Sequence, residues 1–388
     1  MKLIKKVLSI LLLVLLTINL TIYSTKADIN EDLDEAIDIL DENSIKASNN
    51  KISNKPLRVP ARNAIAIDSK TNEVLWEQKA YEIVPMASTT KILTSLIAIN
   101  YGNLERKVTI SKNASSIRGS TVGYRAGEEV AMRELLFGLM FKSGNDAAIA
   151  IAEDIGGSVE GFSRIMNDYA KSIGIIDSHF ESPHGLDSQK HYSSAYDLAI
   201  LTSKAMEYDF FREIVGEKTI SRDKYNFTRD YQNINKILYR IPEANGVKTG
   251  YTGGAGKCLV SSVKYNDRNI IIVVLNCVER WKVTEDIFNY VVKNITFKDT
   301  TTRNIINESK FSGLAEIIKD EDFTYGYKEN DSIDIEVLSK SLDINEGDIL
   351  GKIFLKDDIK EKIKFPLKSN TSISKEEFNK IILGESEE

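Results

Sequence analysis

The run Ile270-Ile271-Ile272-Val273-Val274-Leu275 constrains this chain more than any other part of it. Six consecutive apolar residues, most of them β-branched, read as a buried central strand. A second strand, Cys258 to Tyr265, precedes it, joined at Asn266-Asp267-Arg268. Far upstream, Ala64 to Ile67 and Glu73 to Trp76 flank the turn Asp68-Ser69-Lys70-Thr71-Asn72 and predict a hairpin. The chain between these strands has a helical period. Apolar residues fall at Ile92, Leu93, Leu96 and Ile97, the spacing of a largely buried helix. Residues 132 to 156 give two more helical runs, broken at Lys142-Ser143-Gly144-Asn145, and another helix ends near Ala205. An amphipathic helix spans Val283 to Val292. After Ile295 the segments Tyr325 to Tyr327, Ile333 to Leu338, Ile349 to Leu355 and Lys362 to Leu367 alternate apolar and polar residues, as a small antiparallel β domain would. A short apolar face at Phe378, Ile381 and Ile382 precedes an acidic tail.

Composition removes several functional classes. The net charge of −6 is spread out, and no Lys/Arg-rich run follows residue 6, so no nucleic-acid partner is expected. The three histidines, His179, His184 and His191, share one segment, and neither Cys-x-x-Cys nor His-Glu-x-x-His occurs. No metal and no cofactor is therefore expected. Lys2, Lys5 and Lys6 precede an apolar stretch from Val7 to Tyr23, and Ser24-Thr25-Lys26-Ala27 offers a cleavage site. This reads as an export signal, with an uncleaved anchor as the lesser alternative. No cysteine follows the run, which excludes a lipoprotein anchor. The expected division is a signal peptide at 1–27, an acidic, polar linker at 28–57, a catalytic domain at 58–295 and a small β-rich domain at 296–388.

Three short motifs carry candidate chemistry. Pro85 and the polar residues Ser88-Thr89-Thr90 suit a helix N-terminus, which places Ser88 and Lys91 one turn apart on the same side. A serine becomes a nucleophile when a neighbour takes its proton, and a lysine can do so. Ser88 could equally be an N-cap, and Ser-x-x-Lys also occurs at Ser48, Ser221, Ser261 and Ser372. Ser143-Gly144-Asn145 is a polar break between apolar helices, costly to bury unless its side chains are used; an Asn cap is the plain alternative. Ser182-Pro183-His184-Gly185-Leu186-Asp187 suggests a Ser-His-Asp triad, but no Gly-x-Ser-x-Gly elbow accompanies it, and a hydrogen-bonded loop is the better reading. Lys248-Thr249-Gly250 occurs once, and its glycine would let a ligand approach the backbone of a strand edge.

Ser88-x-x-Lys91, Ser143-x-Asn145 and Lys248-Thr249-Gly250 stand in the order shared by penicillin-binding enzymes and serine β-lactamases. The longer stretches Met86-Ala87-Ser88-Thr89-Thr90-Lys91, Phe141 to Ala148, Pro183-His184-Gly185-Leu186-Asp187 and Gly246 to Gly250 make the chain resemble the serine-type D-Ala-D-Ala carboxypeptidases, the low-molecular-mass penicillin-binding proteins, from Asn63 to Val292. The resemblance implies an α+β fold of the β-lactamase/penicillin-binding-protein transpeptidase type: an antiparallel five-stranded sheet flanked by helices, with a helical lobe. It also implies hydrolysis of the D-Ala-D-Ala bond of peptidoglycan stem pentapeptides through an acyl-enzyme on Ser88, which limits cross-linking, with β-lactams as covalent inhibitors. Lys91 would accept the Ser88 proton and Ser143 relay one to the leaving D-alanine. Asn145 would bind the substrate amide and Lys91, while Lys248 and Thr249 would hold the terminal carboxylate. Gly250 lies beside them, and the N–H groups of Ser88 and Tyr251 would form the oxyanion hole.

Tyr251 departs from relatives that carry His there, and the ending Gly384 to Glu388 lacks the family's amphipathic cationic anchor, so membrane-surface association would rest on the N-terminal segment. A serine β-lactamase is the nearest alternative, but no Glu-x-x-Leu-Asn segment lies between Asn145 and Lys248. A non-catalytic β-lactam or muropeptide sensor is the other. For the two cysteines, a two-residue turn at Asp267-Arg268 would set Cys258 opposite Cys277, about 5.5 Å apart at Cα. Two buried free thiols are nonetheless the expected state.

Overall fold

The computed structural model describes residues 57–383, except 329–330, 339–341 and 357–360. The expected signal peptide, nearly all of the linker and the acidic tail lie outside the described residues.

In chain order, the principal elements begin with strands β1 (Asn63–Asp68) and β2 (Val74–Gln78). Helices α1 (Lys91–Tyr101), α2 (Met132–Phe141), α3 (Asn145–Gly156), α4 (Val159–Ser172), α5 (Ala195–Ala205) and α6 (Asp209–Gly216) follow. Then come strands β3 (Ala244–Thr252), β4 (Gly256–Tyr265) and β5 (Arg268–Leu275), and helix α7 (Arg280–Asn294). The strands form one antiparallel sheet in the order β2-β1-β5-β4-β3. β1 pairs with β5 along its whole length, from Asn63↔Leu275 to Asp68↔Ile270, so the two ends of this unit close on each other.

The apolar run at 270–275 is explained by what covers it. Ile271, Val273 and Leu275 join Ile65 and Ile67 in the core beneath α1 to α6. Ile270, Ile272 and Val274 join Ala64 and Ala66 in a second core under α7, against Val283, Ile287 and Val291. Successive strand residues point to opposite faces, and both faces are covered, so no position in the run can be polar. Each such side chain contributes roughly 1.5–3 kcal/mol on burial.

The turn after β4 differs from expectation. Tyr265 pairs with Arg268, leaving Asn266-Asp267 as the two-residue loop, with Asn266 at φ 54°. Short hairpin loops need positive φ, which Asn adopts more readily than Arg. Leu259 therefore faces Val274, and the register runs two residues away from a Cys258–Cys277 pair. The thiols also belong to different cores, Cys258 to the one under the helical lobe and Cys277 to the one under α7. Both are buried and free, as expected, and burial pushes each up to about 11.

Beyond α7, strands β6 (Thr296–Thr301) and β7 (Asp322–Tyr327) form an antiparallel ribbon. Strands β8 (Ser332–Val337), β9 (Ile349–Lys356) and β10 (Glu361–Lys368) form a three-stranded sheet, and α8 (Lys375–Leu383) follows. This β-rich region has its own core, which includes Ile306, Leu314, Ile318, Leu350, Leu367 and Phe378. No helix among the described residues is long and apolar enough to cross a membrane.

The ribbon is tied to the five-stranded sheet. Gly326 N–H donates to Glu73 Oε2 at 2.7 Å, and the Arg268 guanidinium lies 4.3 Å from the Phe297 ring centroid. Arg268 Nη1 is also 3.1 Å from Asp68 Oδ2, with side chains 2% and 0% exposed. Removing one member of a buried pair strands the other charge. Asp68→Ala is thus expected to lower the unfolding free energy by about 3 kcal/mol in urea titrations, whereas Lys70→Ala, across an exposed pair with Asp267, should change it by less than about 1 kcal/mol.

Candidate active site

Ser88 lies in a single 3-10 turn, Ala87–Thr90, that runs directly into α1. The α-helix proper begins at Lys91, and neither the turn nor the helix has a side-chain cap. The N-cap reading of Ser88 is therefore not what the chain adopts. Ala87 sits at φ 51°, a left-handed conformation that costs a non-glycine residue roughly 1–3 kcal/mol.

Two glycines let neighbouring segments hold that turn. A Cβ on Gly250 would come within 3.1 Å of Ala87 Cβ and of Ser88 N. One on Gly185, itself at φ 87°, would meet Ala87 O at 2.0 Å. β3 and the Pro183–Asp187 loop thus press against the turn as only glycine permits.

The Lys91 amine is the meeting point of the site. Its Nζ is 2.8 Å from Ser88 Oγ, 2.7 Å from Asn145 Oδ1 and 2.8 Å from His184 O, and the residue is fully buried. The amide of Asn145 cannot flip freely, because its Nδ2 donates to Arg118 O at 2.7 Å. Its backbone N–H donates to Ser120 O at 2.7 Å. Ser143 is buried in the break between α2 and α3, at φ 56°. A Cβ on the intervening Gly144 would meet Val122 Cγ2 at 2.7 Å, so the break is packed under the 118–124 loop.

On the other side, Lys248, Thr249, Gly250 and Tyr251 lie on β3, the edge strand of the sheet. Lys248 and Thr249 are buried and Tyr251 is half-buried. Lys248 Nζ donates to Thr249 O at 2.8 Å. Of the residues expected from the sequence, Ser88, Lys91 and Asn145 are joined by hydrogen bonds. Gly250 abuts their turn, and Ser143 lies two positions before Asn145.

The histidines do not form a triad. His184 offers Lys91 its backbone carbonyl, and its Nδ1 accepts from Leu186 N–H at 3.1 Å. His191 Nδ1 accepts from Glu181 N–H at 3.0 Å, which leaves Nε2–H to donate to Thr90 Oγ1 at 2.8 Å. Thr90 in turn donates to Ala87 O at 2.8 Å, so His191 braces the Ser88 turn. Burial, then the neighbouring Lys91 and His191 charges, lower His184 to about 3. Burial is the chief cause that lowers His191 to about 4.

Several groups support the site from behind. Asp146 accepts from the N–H groups of Val122, Gly123 and Tyr124 at 2.8–3.2 Å and so anchors the 118–124 loop over Asn145. Asp187 accepts from Thr252 Oγ1 at 2.6 Å and Gly254 N–H at 2.8 Å, tying the His184 loop to the end of β3. Both acids stand inside the motifs; Asp146 had no other signal, and Asp187 serves as a loop anchor rather than as the acid of a triad. Buried Arg280 donates to Gly250 O at 3.0 Å from the start of α7, and nothing in its local sequence announces this.

The model of peptidase family S11, D-alanyl-D-alanine carboxypeptidase, matches residues 49–279, more than half of the chain. The chain belongs to this family. Similar S11 relatives include D-alanyl-D-alanine carboxypeptidase DacF of Bacillus subtilis, 37% identical over 220 residues, covering 55% of this chain and 57% of the relative. DacC of Escherichia coli is 37% identical over 231 residues, covering 56% of each chain. The chain spans a little over half the length of these relatives. Among solved structures, a DD-transpeptidase of Streptomyces K15 superposes with a TM-score of 0.58 at 31% identity, covering 62% of this chain and all of that one. Penicillin binding protein 5 of Haemophilus influenzae, at 24% identity, shares the fold over 82% of this chain and 99% of its own, with a TM-score of 0.68. The α+β fold expected from the S11 motifs is the one observed.

Both imidazoles titrate below the ordinary histidine range because burial would leave their charged forms unsolvated, with Lys91 adding to the cost. Below about pH 6.5 the unfolded chain binds protons that the folded chain refuses until about pH 4 and 3. Stability should therefore fall as pH drops from 6.5 towards 4, by up to about 1.4 kcal/mol per pH unit for each imidazole. Urea midpoints at pH 5, 6 and 7 check this, and His191→Asn should remove about half of the slope.

Proposed function

We propose that this S11 protein hydrolyses the terminal D-Ala-D-Ala bond of peptidoglycan stem peptides through an acyl-enzyme on Ser88. The observation that carries this reading is the environment of Lys91 Nζ. Among its neighbours, Asn145 Oδ1 and His184 O can only accept hydrogen bonds. An uncharged amine donating to both would direct its lone pair at Ser88 Oγ, 2.8 Å away. Lys91 is then the base that takes the serine proton as Oγ attacks the carbonyl between the two D-alanines.

The N–H groups of Ser88 and Tyr251 receive the developing oxyanion, each worth roughly 3 kcal/mol. Ser143 passes a proton to the departing amine, and Asn145 binds the substrate amide on the acyl side. Lys248 and Thr249 hold the terminal carboxylate on the leaving side. Water then attacks the ester carbon, and Ser88 recovers its proton. Arg280 serves from behind, fixing the Gly250 carbonyl beside the oxyanion position. A β-lactam would enter the same path and leave its opened ring on Ser88.

Residues 58–295 act in this reading as the catalytic domain and 296–388 as a β-rich accessory domain. Export by residues 1–27 puts the enzyme at the outer face of the cell membrane or in the wall; only an uncleaved N-terminal segment would hold it at the membrane surface. There it trims stem peptides, limiting cross-linking and so bearing on cell shape.

Ser88→Ala should abolish both D-alanine release and covalent labelling by penicillin while circular dichroism stays unchanged; labelling that persists points to another nucleophile. Lys91→Ala should retain less than about a tenth of wild-type acylation, since general bases contribute roughly 10²–10⁴-fold. Lys248→Gln should reduce turnover of a pentapeptide with a free C-terminal carboxylate by about tenfold or more, and spare its C-terminal amide. Equal losses on the two would refute carboxylate recognition by Lys248.

A further inference from the structure

Two cations border the Ser143–Asn145 side of the site, and among the described residues their side chains have no ion-pair or hydrogen-bond partner. Arg118 is exposed, and its carbonyl is the acceptor that orients the Asn145 amide. Lys142 is half-buried and directly precedes Ser143. The acids around them are committed elsewhere. Asp146 serves the backbone N–H groups of Val122, Gly123, Tyr124 and Ala147. Asp187 is held by Thr252 and Gly254, and buried Glu134 by Thr228 and Tyr231. In a chain with net charge −6, two cations left unmatched at one rim are a local excess of positive potential.

Ser88 is flanked by β3 on one side, through Gly250, and by Asn145 on the other, through Lys91. With the terminal carboxylate on the Lys248 side, the acyl part of the peptide passes Asn145. An extended residue advances about 3.4 Å, so the residue just before the D-Ala-D-Ala pair comes within reach of long side chains rooted at positions 118 and 142.

We infer that Arg118 and Lys142 recognise an anionic group on the acyl side of the substrate, making the site selective for stem peptides whose residue next to the D-Ala-D-Ala pair carries a free side-chain carboxylate. This rests on the carboxypeptidase reading and adds a specificity to it. Lysine at that position, or a carboxylate capped as its amide, would present nothing for the two cations to bind.

The test compares two pentapeptides that differ only in whether that side-chain carboxylate is free or amidated. Wild type should show a higher kcat/KM for the free acid, by about fivefold per cation engaged, and the preference should shrink as salt is raised. Lys142→Gln and Arg118→Gln should each lower kcat/KM for the free acid about fivefold and together bring the ratio near one, while Lys142→Arg should keep it. Labelling of Ser88 by penicillin reports whether each variant retains an intact site. Equal kcat/KM for the two peptides in wild type, or a preference that survives in the double variant, would overturn the inference. Absence of D-alanine release from both peptides would instead strike the carboxypeptidase reading. In that event, protection of Ser88 from penicillin by the two peptides decides the inference: stronger protection by the free acid supports it, and equal protection overturns it.

Discussion

One nitrogen atom organises this molecule. Lys91 Nζ contacts a serine one turn before it, an amide oxygen from the break between α2 and α3, and a backbone carbonyl from the His184 loop. The last two partners lie 54 and 93 residues from Lys91 in sequence. An amine fully removed from water needs all of its contacts supplied by protein. Whatever delivers those contacts must therefore be rigid. Asn145 is held by the carbonyls of Arg118 and Ser120, that loop by the Asp146 carboxylate, and the His184 loop by Asp187 bonded to the end of β3. Each layer of support orients the one inside it, the usual logic of a preorganised site.

The sheet supplies the platform. Because β5 is covered on both faces, the five strands cannot slide against either layer without exposing apolar surface, and β3 keeps its place beside the Ser88 turn. Where the layers meet, Ala87 and Ser143 both hold left-handed conformations without being glycine. Such conformations persist only where the surroundings over-determine them. Here the surroundings are Gly250 and Gly185 around Ala87, and the packed 118–124 loop over Ser143. The neutral histidines fit the same arrangement, since His191 braces the turn through Thr90 without placing a buried cation beside the site.

The C-terminal region joins this arrangement at a distance from the chemistry. Arg268, in β5, pairs with Asp68 in β1 and covers Phe297 in β6, while the Glu73 carboxylate, just before β2, takes the Gly326 N–H of β7. These contacts fasten the ribbon to β5, to β1 and to the start of β2, on strands other than β3. The apolar core of the β-rich region is separate from the one under α7, against which Phe297 of β6 still packs.

Local spacing determined much of this protein without help. The six-residue run of β5, the period of α1 and the polar break at 142–145 all follow from side-chain periodicity and backbone preference, which act over a few residues. The fold and the site roles came instead from the family that the three motifs together resemble. Other features depended on which distant segments meet. Five Ser-x-x-Lys sequences look alike on the page, yet Ser88 and Lys91 are the pair drawn together around Asn145 and the His184 carbonyl. The pairing of β4 with β5 turned on a two-residue loop at Asn266-Asp267, and one choice of loop residues moved Cys258 out of line with Cys277. Arg118, Asp146, Asp187 and Arg280 acquire their tasks only in the folded chain. A backbone carbonyl has no side chain to advertise it, and a hydrogen bond spanning tens of residues leaves no local period to read.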